Sequence, residues 1–133
     1  MNLKELRTGE IIYGIGVDII EISRFDKNPP SERFMLKCFS ERELNHLKRK
    51  SHEHISGLLA AKEAVVKALG VGFSGFSPSV IEILFSEKGA PYTELKNKAA
   101  RIAEQAGVIR ILISVSHSRS FAVGFACALS NAK

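Results

Sequence analysis

Residues 121–128, Phe-Ala-Val-Gly-Phe-Ala-Cys-Ala, alternate strictly between large and very small side chains. A strand sends successive residues to opposite faces, so Phe121, Val123, Phe125 and Cys127 share one face and Ala122, Gly124, Ala126 and Ala128 the other. A face of glycine and alanine stands barely above the backbone. It buries itself only if another element packs very closely, and a helix is the element expected there. The run Ile11 to Ile20 reads as a second buried strand, in which Gly14 and Gly16 lie on one face and permit close backbone approach. The helix is expected at about residues 52 to 69, with Ile55, Leu58, Leu59, Val65, Val66 and Leu69 as its apolar surface and Gly70 as its stop.

The remaining elements follow from local signals. A turn or short helix through Glu21 to Phe25 precedes a break at Asn28-Pro29-Pro30. Ser31 is placed to cap a helix through Cys38, and Ser40-Glu41-Arg42-Glu43 has capping-box spacing for another helix toward Lys50. Gly72 to Pro78 is long for a simple connection and is a candidate ligand loop. Val80 to Phe85 reads as a strand and Glu87 to Pro91 as a turn. Thr93 is expected to cap a helix that ends at Gly107, and strands follow at Ile109 to Val115 and Phe121 to Leu129. The whole predicts one α+β domain over residues 1–133, an antiparallel sheet with helices on one side, and residues 1–10 form an N-terminal extension.

Composition narrows the function. With 133 residues, 45% hydrophobic and 25% charged, the chain can bury a core unaided. No apolar run reaches membrane-spanning length and MNLKELRTGE is too polar for a signal peptide, so no membrane and a cytoplasmic setting are expected. Cys38 and Cys127 lack metal-ligand spacing, and Cys127 reads as a buried small hydrophobe. Nineteen basic against 14 acidic residues give a net charge of +5, which favours an anionic partner. Lys48-Arg49-Lys50 has no interleaved aromatics and reads as a solvated helix end. A nucleic-acid partner is therefore not expected.

Three polar features interrupt apolar elements. Glu63 and Lys67 are one helical turn apart, hence surface neighbours, which suits an ordinary ion pair or a carboxylate–ammonium pair facing phosphate. Asp18 lies between Val17 and Ile19 at the end of its strand, and His117 connects two apolar strands beside Ser114, Ser116 and Ser118. Each has a bland reading alone, as cap or solvated turn residue. Together they suit a pyrophosphate substrate: Mg²⁺ takes one or two carboxylates and fills its octahedron with phosphate oxygens and water, while a lysine offsets developing charge. Gly14-Ile15-Gly16 runs into Val17-Asp18 rather than a glycine-rich turn, so a Walker or Rossmann phosphate loop is disfavoured.

From about residue 13 to 128 the sequence resembles holo-acyl-carrier-protein synthases, of the 4′-phosphopantetheinyl transferase superfamily. The resemblance rests on GIGVDIIEISRF at 14–25, FSERE at 39–43, GLLAAKEAVVKALG at 57–70, KGAPY at 88–92 and SVSHSRSFAVGFA at 114–126. It implies transfer of 4′-phosphopantetheine from coenzyme A to a serine of apo acyl carrier protein, releasing adenosine 3′,5′-bisphosphate, in support of fatty acid biosynthesis. By matching position, it implies Asp18 and Glu63 as Mg²⁺ ligands and Glu63 and Lys67 as catalytic residues. The attacking hydroxyl would lose its proton to Glu63 or to a metal-activated water. Lys67, His117 and Ser116 would contact coenzyme A, and Arg24 would dock the acidic carrier protein. A homotrimer with sites between subunits is also implied. Two polyanionic substrates give the basic charge a rationale. Where the family commonly has Arg and an aromatic before AAKEA, this chain has Leu58 and Leu59, so a cationic contact is expected from elsewhere, for example Lys62 or Arg119. The segment from Arg24 to Phe39 is short and poor in further arginines. A non-catalytic module that binds an acidic protein is the rival reading. A small RNA-binding domain lacks the aromatic platform it would need.

Overall fold

A computed structural model describes residues 6–73 and 75–132. Half of the N-terminal extension, residues 1–5, and Ser74 of the expected ligand loop therefore lie outside the described residues. The element order is β1 (Glu10–Glu21), α1 (Ser23–Lys27), α2 (Glu32–Cys38), α3 (Glu41–Leu47), α4 (His52–Leu69), a 3₁₀ turn (Pro78–Val80), β2 (Ile81–Phe85), β3 (Pro91–Leu95), α5 (Asn97–Ala106), β4 (Val108–His117) and β5 (Phe121–Asn131). The α+β class holds, with the strands divided between two antiparallel sheets. One has the order β1-β5-β4, and β2 and β3 form a separate hairpin.

Helix α4 lies across the larger sheet on its small-residue face. Gly57 sits against Val115 of β4. Gly124 of β5 lies under the backbone of Ala60 and Ala61, and Gly16 and Gly14 of β1 lie under the backbone carbonyls of Ala64 and Ala68. The helix thus runs diagonally over all three strands, and a Cβ at Gly14, Gly16 or Gly124 would collide with its backbone. Ala60, Ala61, Ala64, Ala122, Ala126 and Ala128 are all fully buried at this contact. Gly70, at φ 77°, ends the helix in the left-handed conformation that glycine adopts without strain. Ser31 caps α2 by accepting from the Phe34 amide, and Ser40 and Glu43 form the expected reciprocal capping box on α3.

Lys62 was one candidate for a coenzyme A contact, and the structure excludes it. Its side chain is 1% exposed, and its ammonium donates to Glu43 Oε1 (2.7 Å), Ile81 O (2.6 Å) and Pro78 O (3.0 Å). An ammonium has three protons, and here each has an acceptor. Glu43 also accepts from the amides of Ser40 (2.9 Å) and Ile83 (2.9 Å), and the Phe39 ring lies 5.3 Å from the ammonium. Burial alone would push the Lys62 pKa down, and the charge of Glu43 opposes it. This fully satisfied pair ties α4 to α3 and to the start of β2.

Three expectations need correction. Thr93 caps no helix: Pro91–Leu95 pairs with β2, Thr93 stands opposite Ile83 and donates to Glu82 O (2.8 Å), and α5 begins only at Asn97. Sheet pairing overrides the local cap signal because each residue of the segment finds a partner in β2. Second, β1 is covered on one face only. Ile15, Val17 and Ile19 are 61%, 55% and 61% exposed, because the helix takes the glycine face and the described elements leave the other open. Third, Cys127 is only partly buried, since it stands on that open face opposite Ile15 and Leu112. At the N-terminal edge, Arg110 donates to both oxygens of Glu10 (2.7 Å each). That bond lowers the Glu10 pKa from 4.5 to about 2 and anchors the start of β1 to β4.

Three substitutions test this account by urea denaturation. Gly124→Val should destabilise by about 3 kcal/mol, at the upper end of overpacking costs, because the obstacle is helix backbone. Gly72→Ala, where an added methyl meets nothing within 4 Å, should stay within about 0.5 kcal/mol of the parent. Lys62→Met leaves Glu43 buried without its counter-charge and should cost about 3–5 kcal/mol. A loss below about 1 kcal/mol would show that the pair does not hold α4 in place.

Candidate functional site

The acid site arises where the diagonal helix leaves β1 behind. Asp18 follows Gly16 on the inner face of β1, opposite Gly124, and the helix covers Gly124 rather than Asp18. The Asp18 carboxylate emerges along the flank of α4, on the side that carries Glu63 and Lys67. Lys67 Nζ donates to Asp18 Oδ1 (3.1 Å) and to the backbone carbonyl of Val17 (3.0 Å). The sequence suggested a Glu63–Lys67 pair. In the structure the lysine instead bonds across to the strand, and the pKa of Glu63, one turn away, is pushed up. Burial is the largest cause and the Asp18 charge the second, with Lys67 opposing both.

A cavity of about 350 Å³ opens here, lined among others by Asp18, Ile20, Arg24, Phe34, Leu59 and Glu63. Arg24 reaches it because α1 turns the chain back immediately after β1, and its guanidinium lies 5.2 Å from the Phe25 ring centre. Phe34, Cys38 and Pro78 also wall the cavity; Pro78 closes the candidate ligand loop, whereas no sequence signal marks Phe34 or Cys38 as site residues. The Ser31 cap foretold helix α2, but only tertiary packing shows which of its faces meets Asp18. Leu58 is 2% exposed and belongs to the core, whereas Leu59 lines the cavity. A cation at position 58 would be buried in this fold.

Two carboxylates beside one ammonium can hold a hard cation and an anionic oxygen together. Among the described residues no group of three or more His, Cys, Asp or Glu side chains could cage a metal alone. Mg²⁺ does not require such a cage, because it uses one or two carboxylates and completes its shell with phosphate oxygens and water. The destabilised charge on Glu63 is what a bound cation would relieve, so the donor set fits Mg²⁺.

His117 and Ser116 are not brought to this cavity within the chain. His117 ends β4 opposite Ala122, whose other neighbour is Ile20, so it stands two strand spacings from β1, about 10 Å. Its Nδ1 lies 3.6 Å from Glu53 Oε2, and its ring centre is 6.1 Å from that of His54. Ser116 is exposed beside Val123 on the opposite, open face of the sheet. Arg119 is exposed in the connection between β4 and β5.

Comparison with known proteins gives one family. Residues 14–126 match the family model described as the 4′-phosphopantetheinyl transferase superfamily. A holo-[acyl-carrier-protein] synthase of Halothermothrix orenii is 42% identical over 119 residues, covering 86% of this chain and 95% of its own. The structure of Helicobacter pylori holo-[acyl-carrier-protein] synthase in complex with coenzyme A superposes with a TM-score of 0.76 at 31% identity, covering 86% of this chain and 98% of that one. The Bacillus anthracis holo-(acyl-carrier-protein) synthase, in complex with CoA (3′,5′-ADP), gives 0.74 at 33% identity, covering 90% and 98%.

Proposed function

The chain belongs to the 4′-phosphopantetheinyl transferase superfamily, and on that premise we propose that it moves 4′-phosphopantetheine from coenzyme A to a serine of apo acyl carrier protein. It is an enzyme of the holo-[acyl-carrier-protein] synthase type. The observation that supports the reaction most is the convergence of Asp18 and Glu63, 45 positions apart (63 − 18) on a strand and a helix, in one cavity, with Lys67 bonded to Asp18 beside it. Adenosine 3′,5′-bisphosphate is the other product, and the holo carrier protein serves fatty acid biosynthesis in the cytoplasm.

Asp18 and Glu63 would hold Mg²⁺, which when bound neutralises charge on the pyrophosphate oxygens. Lys67, fixed by Val17 O and Asp18, presents its ammonium to the phosphate and offsets the charge that develops as the bond to the nucleotide breaks. Glu63, or a water activated by the bound cation, takes the proton of the attacking serine hydroxyl. Arg24, at the cavity mouth, meets the acidic carrier protein.

The separation of His117 and Ser116 from the acid cavity supports a site shared between copies of the chain. The open face of the β1-β5-β4 sheet carries Ile15, Val17, Ile19 and Phe125, all more than 40% exposed, and Ser116 stands on it. A homotrimer would bury this face and could set Ser116 and His117 of one copy near coenzyme A bound at the acid cavity of another.

Asp18→Ala and Glu63→Ala should each lower Mg²⁺-dependent carrier modification by about 10²-fold or more, read by mass spectrometry, with the circular dichroism spectrum unchanged. Full activity in both variants would remove the metal assignment. Ile15→Asp should yield monomers by sedimentation and lose modification activity together. An active monomer would show that one chain holds the whole site.

A further inference from the structure

Helix α1 has five residues and no side-chain cap at its start, far below the length at which a helix persists alone. Its posture is therefore set by what it rests on. The chain enters it through Ile22, whose amide donates to Ser120 O (2.9 Å); that bond fixes where α1 begins but not how it is rolled. Phe25 is buried, its ring centre 6.0 Å from that of Phe34 on α2 and 6.4 Å, edge on, from that of His52 at the start of α4. The next residue, Asp26, accepts a hydrogen bond from His52 Nδ1 (2.7 Å). A carboxylate only accepts, so the imidazole proton stands on Nδ1. His52 thus touches two consecutive residues of α1, one by its ring and one by its N–H.

We propose that His52 is a positioning residue for the carrier protein: by holding Asp26 it locks the roll of α1 and so sets Arg24 relative to Glu63. The proposal rests on the function given above. Consecutive residues leave a helix about 100° apart, so with Phe25 turned inward Arg24 and Asp26 emerge on opposite flanks. One flank carries the cation at the acid cavity and the other the bond to α4. His52 precedes Glu63 by 11 residues (63 − 52), which is about three full turns of α4. The same side of one helix therefore carries both the acid and the residue that holds α1. Asp26 is otherwise hard to account for. It is 65% exposed, two residues from the cation that is to meet an acidic surface, and by charge alone it opposes docking. The bond to His52 explains its place.

Steady-state kinetics with apo carrier protein as the varied substrate test this, beside calorimetry of coenzyme A with Mg²⁺. His52→Ala should raise the carrier KM about fivefold, the loss of one half-exposed hydrogen bond to a charged group. Its kcat should stay within about twofold and its coenzyme A affinity should not change, which also reports a folded variant. His52→Asn should recover most of the loss, because its amide N–H can stand where the Nδ1–H stands. Asp26→Ala gives the sharper test. Charge alone predicts a lower carrier KM there, whereas positioning predicts a KM raised as in His52→Ala. A lowered KM overturns the assignment. In an Arg24→Ala background His52→Ala should add little; effects that multiply would show His52 acting independently of Arg24 and overturn it as well. Coenzyme A affinity lost in parallel would make His52 a support of the whole fold, with the same consequence. An unchanged KM in His52→Ala sinks the positioning role and leaves the transferase reading intact. Wild-type protein that modifies no carrier sinks both.

Discussion

Backbone-to-backbone contact between α4 and the glycine–alanine face of the sheet sets the position of everything else. At Gly14, Gly16 and Gly124 there is no room for a single methyl group. Such an interface is tight and cannot slide, because moving the helix by one residue brings a Cβ into collision. The three contacts, read from Gly124 to Gly16 to Gly14, also define a direction. They carry the helix from the middle strand onto the edge strand and uncover Asp18 as it passes. Glu63 and Lys67 flank that exit because they lie one turn apart on the side facing β1. The functional cluster follows from how a helix must cross a sheet with so little side-chain height.

Helix α4 carries two lysines whose surroundings give them opposite roles. Lys62 is enclosed, and its three protons are held by Glu43 and two carbonyls. Lys67 stands half exposed with a carboxylate and one carbonyl, which leaves a proton direction open toward a ligand. Lys62 and Glu63 are consecutive, so their side chains leave the helix about 100° apart. The buried network that fixes the rotation of Lys62 therefore also fixes where Glu63 points. Replacing a buried ion pair by apolar groups is often neutral for stability, so net stabilisation is a weak reason for its presence. Its geometric consequence is definite: a cation between α3 and β2 locks the helix in the one rotation that serves the acid site.

Much of this could be read from residues alone, because the signals were local and short-ranged. The Ser40–Glu43 box and the Gly70 stop each report on a contact within a few residues, and the alternation in β5 reports the height of its own two faces. What could not be read depends on partners far along the chain. Thr93 carries a helix-cap signal, yet β2 claims it: the turn legible at Glu87 to Pro91 returns the chain along β2, a pairing on which the cap signal is silent. Lys62 looks like any solvated helix lysine until Glu43 is placed against it in space. The open face of β1 reads as core in the sequence because an Ile and Val row looks identical whether a helix or another protein surface is to cover it. Periodicity reports that a face is apolar and is silent about its occupant.

The placement of His117 follows the same logic at a larger scale. It shares the inner face of the sheet with Asp18, but β5 lies between them, and the small residues of β5 are what the helix needs. A chain that spends its middle strand on packing cannot bring the outer two strands to one point. A histidine on β4 can then meet a ligand at β1 in only two ways: the ligand spans the sheet, or a second copy of the chain supplies the missing edge. The first would have to cross α4, which covers the sheet between them. The second needs only that the apolar rows of Ile15, Val17 and Ile19 be covered by another copy, a driving force that the exposed surface already provides. Under the proposed trimer, association would complete the site that a helix forced down onto β5 leaves divided between strands.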